Sequence, residues 1–458
     1  MDPPARTHSG SDPATVRADL EPLVDFRNEG MPLDVLDGLI ERRLVPHLVR
    51  YDHPGFQSMF NTVPEEAAQR AASLALAYNQ GVTNWQVSPG GAMLEELCGE
   101  SLCRLFGLGP DAAATFHLAG TYANLQGVYL ALHRHAERQG FDFACRGIAG
   151  FTAPSRLALA LPLDTHFSLR HAVRLLGLGE DCLVPLDVDA ERRLDVSELR
   201  RRLAELRGER DVFCVVANAG TTPTGAVDPL RPVAEICAEV GAWLHVDAAY
   251  GFAYRLVPER RHLFDGIELA DSICWDPHKQ FGVPIPSSLL FVRRRQDFDR
   301  AAVHSSYFNR PDSVRPNPGL RSPPSTRPMA ALPLCATLLH LGLAEIVERL
   351  RAPLLAIERL AEHLTAQKDF EVCHRPDLGV LCFRTTPAGC PPEKINDLQE
   401  RIVERIAVTG ERLIAITRLG DKTALRVVAV SPMVTEEALR ETVQVVRRVA
   451  SELVPRLI

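Results

Sequence analysis

The stretch DSICWDPHKQFG, residues 271–282, sets a lysine just after an apolar, strand-like run. Lys279 is the only lysine in residues 1–367, where every other basic side chain apart from histidine is arginine; Lys368, Lys394 and Lys422 follow near the C-terminus. A desolvated lysine shifts its pKa readily and becomes a nucleophile, which arginine does not. Read alone, Lys279 is equally an ordinary solvated lysine, and its surroundings must decide.

Those surroundings hold further polar groups at the ends of apolar runs, where open parallel sheets bind ligands. ANAGTTPTG places Thr221 and Thr222 after one run, LHVDAAY places Asp247 at the end of another, and WDPHK adds Asp276 and His278 beside Lys279. An aspartate in an apolar strand requires a cationic partner; a structural salt bridge with an arginine satisfies that need as well as a ligand does. Upstream, Gly120 and Thr121 in TFHLAGTYANLQG begin a helical pattern. Glycine lets the backbone approach a ligand and first-turn N–H groups attract phosphate, although Gly-Thr is also a plain helix cap. LPLDTHFSLRHAVRLLG repeats the arrangement with His166 in the turn. A nucleophilic lysine, an acid for a pyridine nitrogen, a glycine turn for phosphate and a ring to lie over a heterocycle together fit pyridoxal 5′-phosphate.

The elements that must position these residues alternate. The sequence predicts strands over 211–220, 242–250, 270–277 and 287–294 and a helix over 228–241, the signature of βαβ units and a largely parallel sheet. Residues 310–328, RPDSVRPNPGLRSPPSTRP, read as a long irregular segment, either a functional loop or a linker. A strongly helical stretch and then strands of a smaller α+β unit follow. The first 20 or so residues, rich in Pro, Ser, Asp and Thr, read as frayed or docked on a partner. The expected organisation is an N-terminal arm over 1–62, a large α/β domain over 63–336 and a small C-terminal domain over 337–458.

Composition narrows the function classes. The chain has 458 residues, 46% hydrophobic and 24% charged, as in ordinary globular proteins. A net charge of −7 argues against a nucleic-acid surface, and no basic run suggests one. No apolar stretch is expected to approach the roughly 20 residues that span a bilayer, and the N-terminus lacks the order of a signal peptide. Eleven cysteines stand singly with no CxxC pair, which argues against a zinc site and for a reducing, cytoplasmic location.

HVDAAY followed by DSICWDPHK resembles the group II pyridoxal-phosphate-dependent amino-acid decarboxylases, the family of the aromatic-amino-acid, glutamate, cysteine-sulfinate and diaminobutyrate enzymes. The segments HPGF, NQGVTNWQVSPGGAMLEEL, GTYANLQG, DTHFSLRHA, AGTTPTGAVDPL and LRVVAVSP extend the likeness from about His53 to Pro432. The resemblance implies fold type I: a large domain with a mostly parallel seven-stranded sheet and a small C-terminal α+β domain. It implies that Lys279 carries pyridoxal phosphate, Asp247 holds the pyridine nitrogen protonated, His166 stacks on the ring, and Gly120 and Thr121 bind phosphate. Thr222 would sit near Asp247 and the ring, with His278 assisting at the phosphate or the lysine. Tyr307 would be the lid tyrosine that returns the proton after carbon dioxide leaves, and Arg426 a carboxylate contact. Without the family pattern, Tyr307 is a loop aromatic and Arg426 a surface cation.

Two positions depart from the pattern. Asp276 replaces the asparagine of many relatives, which puts an acid near the phosphate, and Tyr122 stands where many carry an acid. The substrate pocket is expected to draw on His53, Phe60, Trp85 and Arg426, though each aromatic reads equally well as core. DTHFSLRHA and SSYF lie closer to the glutamate and cysteine-sulfinate branch than to the aromatic one. The implied activity is conversion of an L-amino acid to its amine and carbon dioxide, in a homodimer with shared active sites and no nucleic-acid or membrane partner. The alternatives are an oxidative aldehyde synthase of the same family and a catalytically idle homologue that acts as a binding protein.

Overall fold

The computed structural model describes residues 6–305 and 315–457, which form two compact units: residues 62–351, and residues 1–61 with 352–458. The larger unit is built on seven strands: β1 (Ala113–His117), β2 (Leu157–Pro162), β3 (Leu183–Leu186), β4 (Asp211–Asn218), β5 (Trp243–Asp247), β6 (Ser272–Trp275) and β7 (Ser288–Val292). Their order is β1-β7-β6-β5-β4-β2-β3. β3, β2, β4, β5 and β6 pair in parallel, and only β7 runs against its neighbours. β1, β5, β6 and β7 are buried along their whole length, as expected for strands covered on both faces. Helix Gly120–Arg138 crosses β4 to β7 and buries Ala123, Val128, Leu130 and Ala131 in the same core as Leu159, Val216 and Leu290.

The strands expected at 211–220, 242–250, 270–277 and 287–294 are β4, β5, β6 and β7, and the helix expected at 228–241 is Leu230–Val240. The proline-rich segment is less irregular than its composition suggests. Over residues 316–327 its backbone is tied to the VTNW stretch: Val82 N–H donates to Arg327 O at 2.9 Å, Gly319 N–H to Thr83 O at 2.7 Å and Trp85 N–H to Pro316 O at 3.1 Å.

The smaller unit carries a four-stranded antiparallel sheet in the order β10-β11-β9-β8, made of β8 (Phe370–Val372), β9 (Val380–Thr385), β10 (Ala415–Leu419) and β11 (Lys422–Val428). Helices Ile395–Thr409 and Glu436–Leu453 share its core. The N-terminal residues differ from expectation. Pro13–Leu20 is a helix whose first turn is capped by Asp12, and Thr7 is buried with its N–H and hydroxyl on Gly410 O. This segment docks on its own chain.

The expectation that no stretch reaches bilayer-spanning length needs correction. Helix Ala331–Thr365 is long and apolar enough to cross a membrane on length and composition. Its geometry argues against a span: Gly342, at φ 69° and ψ 162°, breaks the helix, and Glu345, Glu348, Arg349 and Arg351 follow the break directly. An unbonded backbone and four charges are costly in hydrocarbon.

Candidate active site

Five strands of the larger unit end in residues that gather around one cavity of about 230 Å³. The turn after β1 contributes Gly120 and Thr121, that after β2 His166, that after β4 Thr222, the last residue of β5 Asp247, and the turn after β6 Asp276, His278 and Lys279. Eight residues expected in the site thus meet in space. Trp85 belongs to the same unit, half-buried, and is not among the lining residues. Tyr307 lies outside the described residues. His53, Phe60 and Arg426 belong to the smaller unit. There His53 Nδ1 accepts from Gly55 N–H at 2.9 Å, and the Arg426 guanidinium donates to Ser58 O at 2.8 Å while lying 5.9 Å from the Phe60 ring centre. Arg426 is only 6% exposed, so it is a buried group.

Lys279 Nζ lies 3.1 Å from Asp276 Oδ2. Burial alone would lower the lysine pKa, but the carboxylates of Asp276 and Asp247 outweigh it and raise the value above 10.5. His278 Nδ1–H donates to Ser287 O at 2.6 Å, which leaves Nε2 bare and 3.9 Å from Asp276. Burial pushes both His278 and His166 below the ordinary histidine range. Asp247 accepts from Asn124 Nδ2 at 2.8 Å and from Ala249 N–H at 3.1 Å.

Gly120 starts a 19-residue helix, and a Cβ there would lie 2.8 Å from Asp276 Oδ2 and 2.9 Å from Oδ1. The position therefore requires glycine beside that carboxylate. Asp276 Oδ1 is buried and has no hydrogen-bond partner among the described residues. The donor set fits pyridoxal phosphate: a lysine within the cavity, a carboxylate facing it from a strand end, an imidazole on its wall, and an open helix start with an unsatisfied polar atom beside it.

Asn124, which lines the cavity and bonds Asp247, and His245, which bonds Asn124, are residues that the sequence reading passed over. Asn124 lies one turn beyond Gly120, hence on the same helix face, and His245 lies two residues before Asp247, hence on the same face of β5. Both spacings were legible, but an asparagine in a helix and a histidine in a strand carry little signal singly.

Comparisons with known proteins agree with this geometry. Residues 13–386 match the pyridoxal-dependent decarboxylase conserved domain. The chain is 28% identical over 403 residues to an L-2,4-diaminobutyrate decarboxylase of Acinetobacter baumannii, covering 86% of this chain and 79% of that protein. It is 25% identical over 463 residues to an aromatic-L-amino-acid decarboxylase of Bacillus atrophaeus, covering 97% and 92%. The solved glutamate decarboxylase domain of a diaminobutyrate–pyruvate transaminase and L-2,4-diaminobutyrate decarboxylase from Vibrio parahaemolyticus superposes with a TM-score of 0.87 at 24% identity, covering 98% of this chain and 91% of that one. The chain belongs to the pyridoxal-dependent decarboxylase family, with the fold type I architecture, pyridoxal phosphate as cofactor and carboxy-lyase chemistry.

Proposed function

We propose that this protein decarboxylates an L-amino acid to the corresponding amine and carbon dioxide. The observation that carries the reading is the meeting of Lys279, Asp247, His166 and Gly120 around one cavity. Bound pyridoxal phosphate supplies the electron sink for the carbanion left when carbon dioxide departs. Lys279 would hold it covalently once its ammonium has lost a proton, a loss that Asp276 Oδ2 at 3.1 Å opposes by favouring the charged form. Asp247 would hold the ring nitrogen, where a negative charge favours the protonated form. His166 would stack on the ring, Gly120, Thr121 and His278 would hold the phosphate, and Thr222 would sit near the ring. Tyr307, outside the described residues, would be the proton donor to the product carbon that the resemblance implies.

The first substrate to try is L-2,4-diaminobutyrate, because both the Acinetobacter relative and the Vibrio structure carry that name. Glutamate, aspartate, cysteine sulfinate and the aromatic amino acids complete the screen. Carbon dioxide and amine without oxygen uptake or peroxide are expected; peroxide and an aldehyde would establish the oxidative reaction instead. Purified protein is expected to show visible absorbance from bound cofactor, lost in Lys279→Ala. Its absence from the wild type after incubation with pyridoxal phosphate would leave a binding protein as the reading.

We also propose a cytoplasmic homodimer. Eleven cysteines that form no disulfide, seven of them buried, fit a reducing compartment. The dimer is what the resemblance to the group II decarboxylases implies. A monomeric, fully active species in light scattering would refute the dimer.

A further inference from the structure

Behind Asp247 runs a buried chain of hydrogen bonds whose donor directions are fixed from its carboxylate end. Trp243 Nε1–H can only donate, and does so to Ser272 Oγ at 2.8 Å. Ser272 Oγ also lies 2.8 Å from His245 Nδ1 and, with a second lone pair and its own hydrogen, can accept from or donate to it. His245 Nε2 lies 2.9 Å from Asn124 Oδ1, and Asn124 Nδ2 donates its two hydrogens to Asp247 Oδ2 and Ser168 Oγ, each at 2.8 Å. A carboxylate accepts only, so the amide nitrogen of Asn124 must face Asp247 and its oxygen must face the histidine. That oxygen in turn requires the proton of His245 on Nε2. Every bond in the chain points toward Asp247.

We propose that His245 and Asn124 are positioning residues for the ring-binding carboxylate, with Ser272 donating to the imidazole nitrogen that Asn124 leaves bare. The inference rests on the assignment of Asp247 to the ring nitrogen. His245 and Ser272 are fully buried and Asn124 is 1% exposed, so water does not substitute for a lost member. Burial also pushes the imidazole down to about 4, against the pull of Asp247, so the ring stays neutral as the chain requires. The helix makes room for this ring at Gly127, where a Cβ would lie 2.5 Å from His245 Nδ1. A glycine in mid-helix costs about 1 kcal/mol against alanine, and here the ring occupies the space that cost opens.

The test uses the whole chain. In the cofactor-free protein at neutral pH, nitrogen-15 NMR of the imidazoles, with His245 assigned by its loss in His245→Gln, is expected to show Nε2 protonated and Nδ1 bare. A proton on Nδ1, or on both nitrogens, overturns the proposal, and this measurement stands even where a variant fails to fold. In Asn124→Leu, pyridoxal phosphate is expected to stay attached to Lys279 after borohydride reduction. Its affinity should fall on the order of tenfold, mid-range for groups coupled in one network, and its visible absorbance should shift. Asn124→Leu is expected to add nothing in an Asp247→Asn background, and His245→Gln, which keeps a donor toward Asn124, is expected to recover what His245→Leu loses. Additive effects in that cycle overturn the inference alone. Wild-type absorbance and affinity in Asp247→Asn by itself would overturn the ring-nitrogen assignment beneath it.

Discussion

Asp276 Oδ2 stands 3.1 Å from Lys279 Nζ, and the same carboxylate rests against the backbone of Gly120 at the start of a 19-residue helix. It therefore faces both the group that must become a nucleophile and the place where a phosphate would settle. A protonated lysine cannot attack an aldehyde, and Asp276 and Asp247 overcome burial to hold Lys279 above 10.5. The reactive fraction at neutral pH is small and rises about tenfold per pH unit until the lysine titrates. Replacing Asp276 by asparagine removes the nearer carboxylate, so the lysine pKa falls toward what burial favours. Stopped-flow absorbance should then show faster capture of pyridoxal phosphate by cofactor-free Asp276→Asn at neutral pH, by about tenfold for each unit of pKa lost. Slower capture would mean that Asp276 is needed to accept the lysine proton.

Gly127→Ala sets two opposing effects against each other. Alanine in a helix interior is favoured over glycine by about 1 kcal/mol. The new Cβ, however, would lie 2.5 Å from His245 Nδ1 and 2.6 Å from Cε1, inside a core with no free space. Overpacking of that kind costs about 1–3 kcal/mol, so the steric term wins. A lower urea midpoint is expected; a higher one would show that the imidazole moves aside at no cost.

The sheet and the site differ in how far the sequence reveals them. β4, β5, β6 and β7 are short apolar runs flanked by turn residues, and local composition suffices to find them. Asp247, His278 and Lys279 follow such runs directly, so their convergence follows from the strand-end rule. Asn124 could not be found in that way, because its partners His245, Asp247 and Ser168 lie 121, 123 and 44 residues away and reach it only through the sheet order. Nor could the docking of residues 316–327 on Val82–Trp85, since backbone hydrogen bonds leave no mark on side-chain pattern. The helix Pro13–Leu20 went unseen because its apolar face is too weak to register, and Asp12 at its cap reads equally as loop.

The segment before helix Ala331–Thr365 is anchored by a buried ion pair between Arg327 and Glu95, which are 4% and 3% exposed. Arg327 also donates to Pro318 O at 3.2 Å and Thr115 Oγ1 at 3.4 Å, and Glu95 accepts from Phe116 N–H at 3.4 Å. Removing one partner strands the other charge in the core, at a cost of about 3–5 kcal/mol. Arg327→Met and Glu95→Gln are each expected to lose stability in that range in urea titrations. The double variant should be more stable than the sum of the two losses predicts. Strict additivity would show that the pair is not the anchor.

His245 makes acid stability testable with a defined sign. Its folded-state pKa is depressed to about 4 from the ordinary 6.5, so below 6.5 the unfolded chain takes up the proton first. The imidazole's contribution is complete above pH 6.5, declines as pH falls toward 4, and changes no further below that. The steepest loss is about 1.4 kcal/mol per pH unit. Glutamine at this position keeps a hydrogen-bond donor and does not titrate. The unfolding free energy of the wild type minus that of His245→Gln is therefore expected to be constant above pH 6.5 and to decrease through the window below it. Every other titrating group is common to both proteins, so the difference isolates this ring; a difference that stays level from pH 6.5 to 4 would mean that the imidazole takes up its proton as easily folded as unfolded.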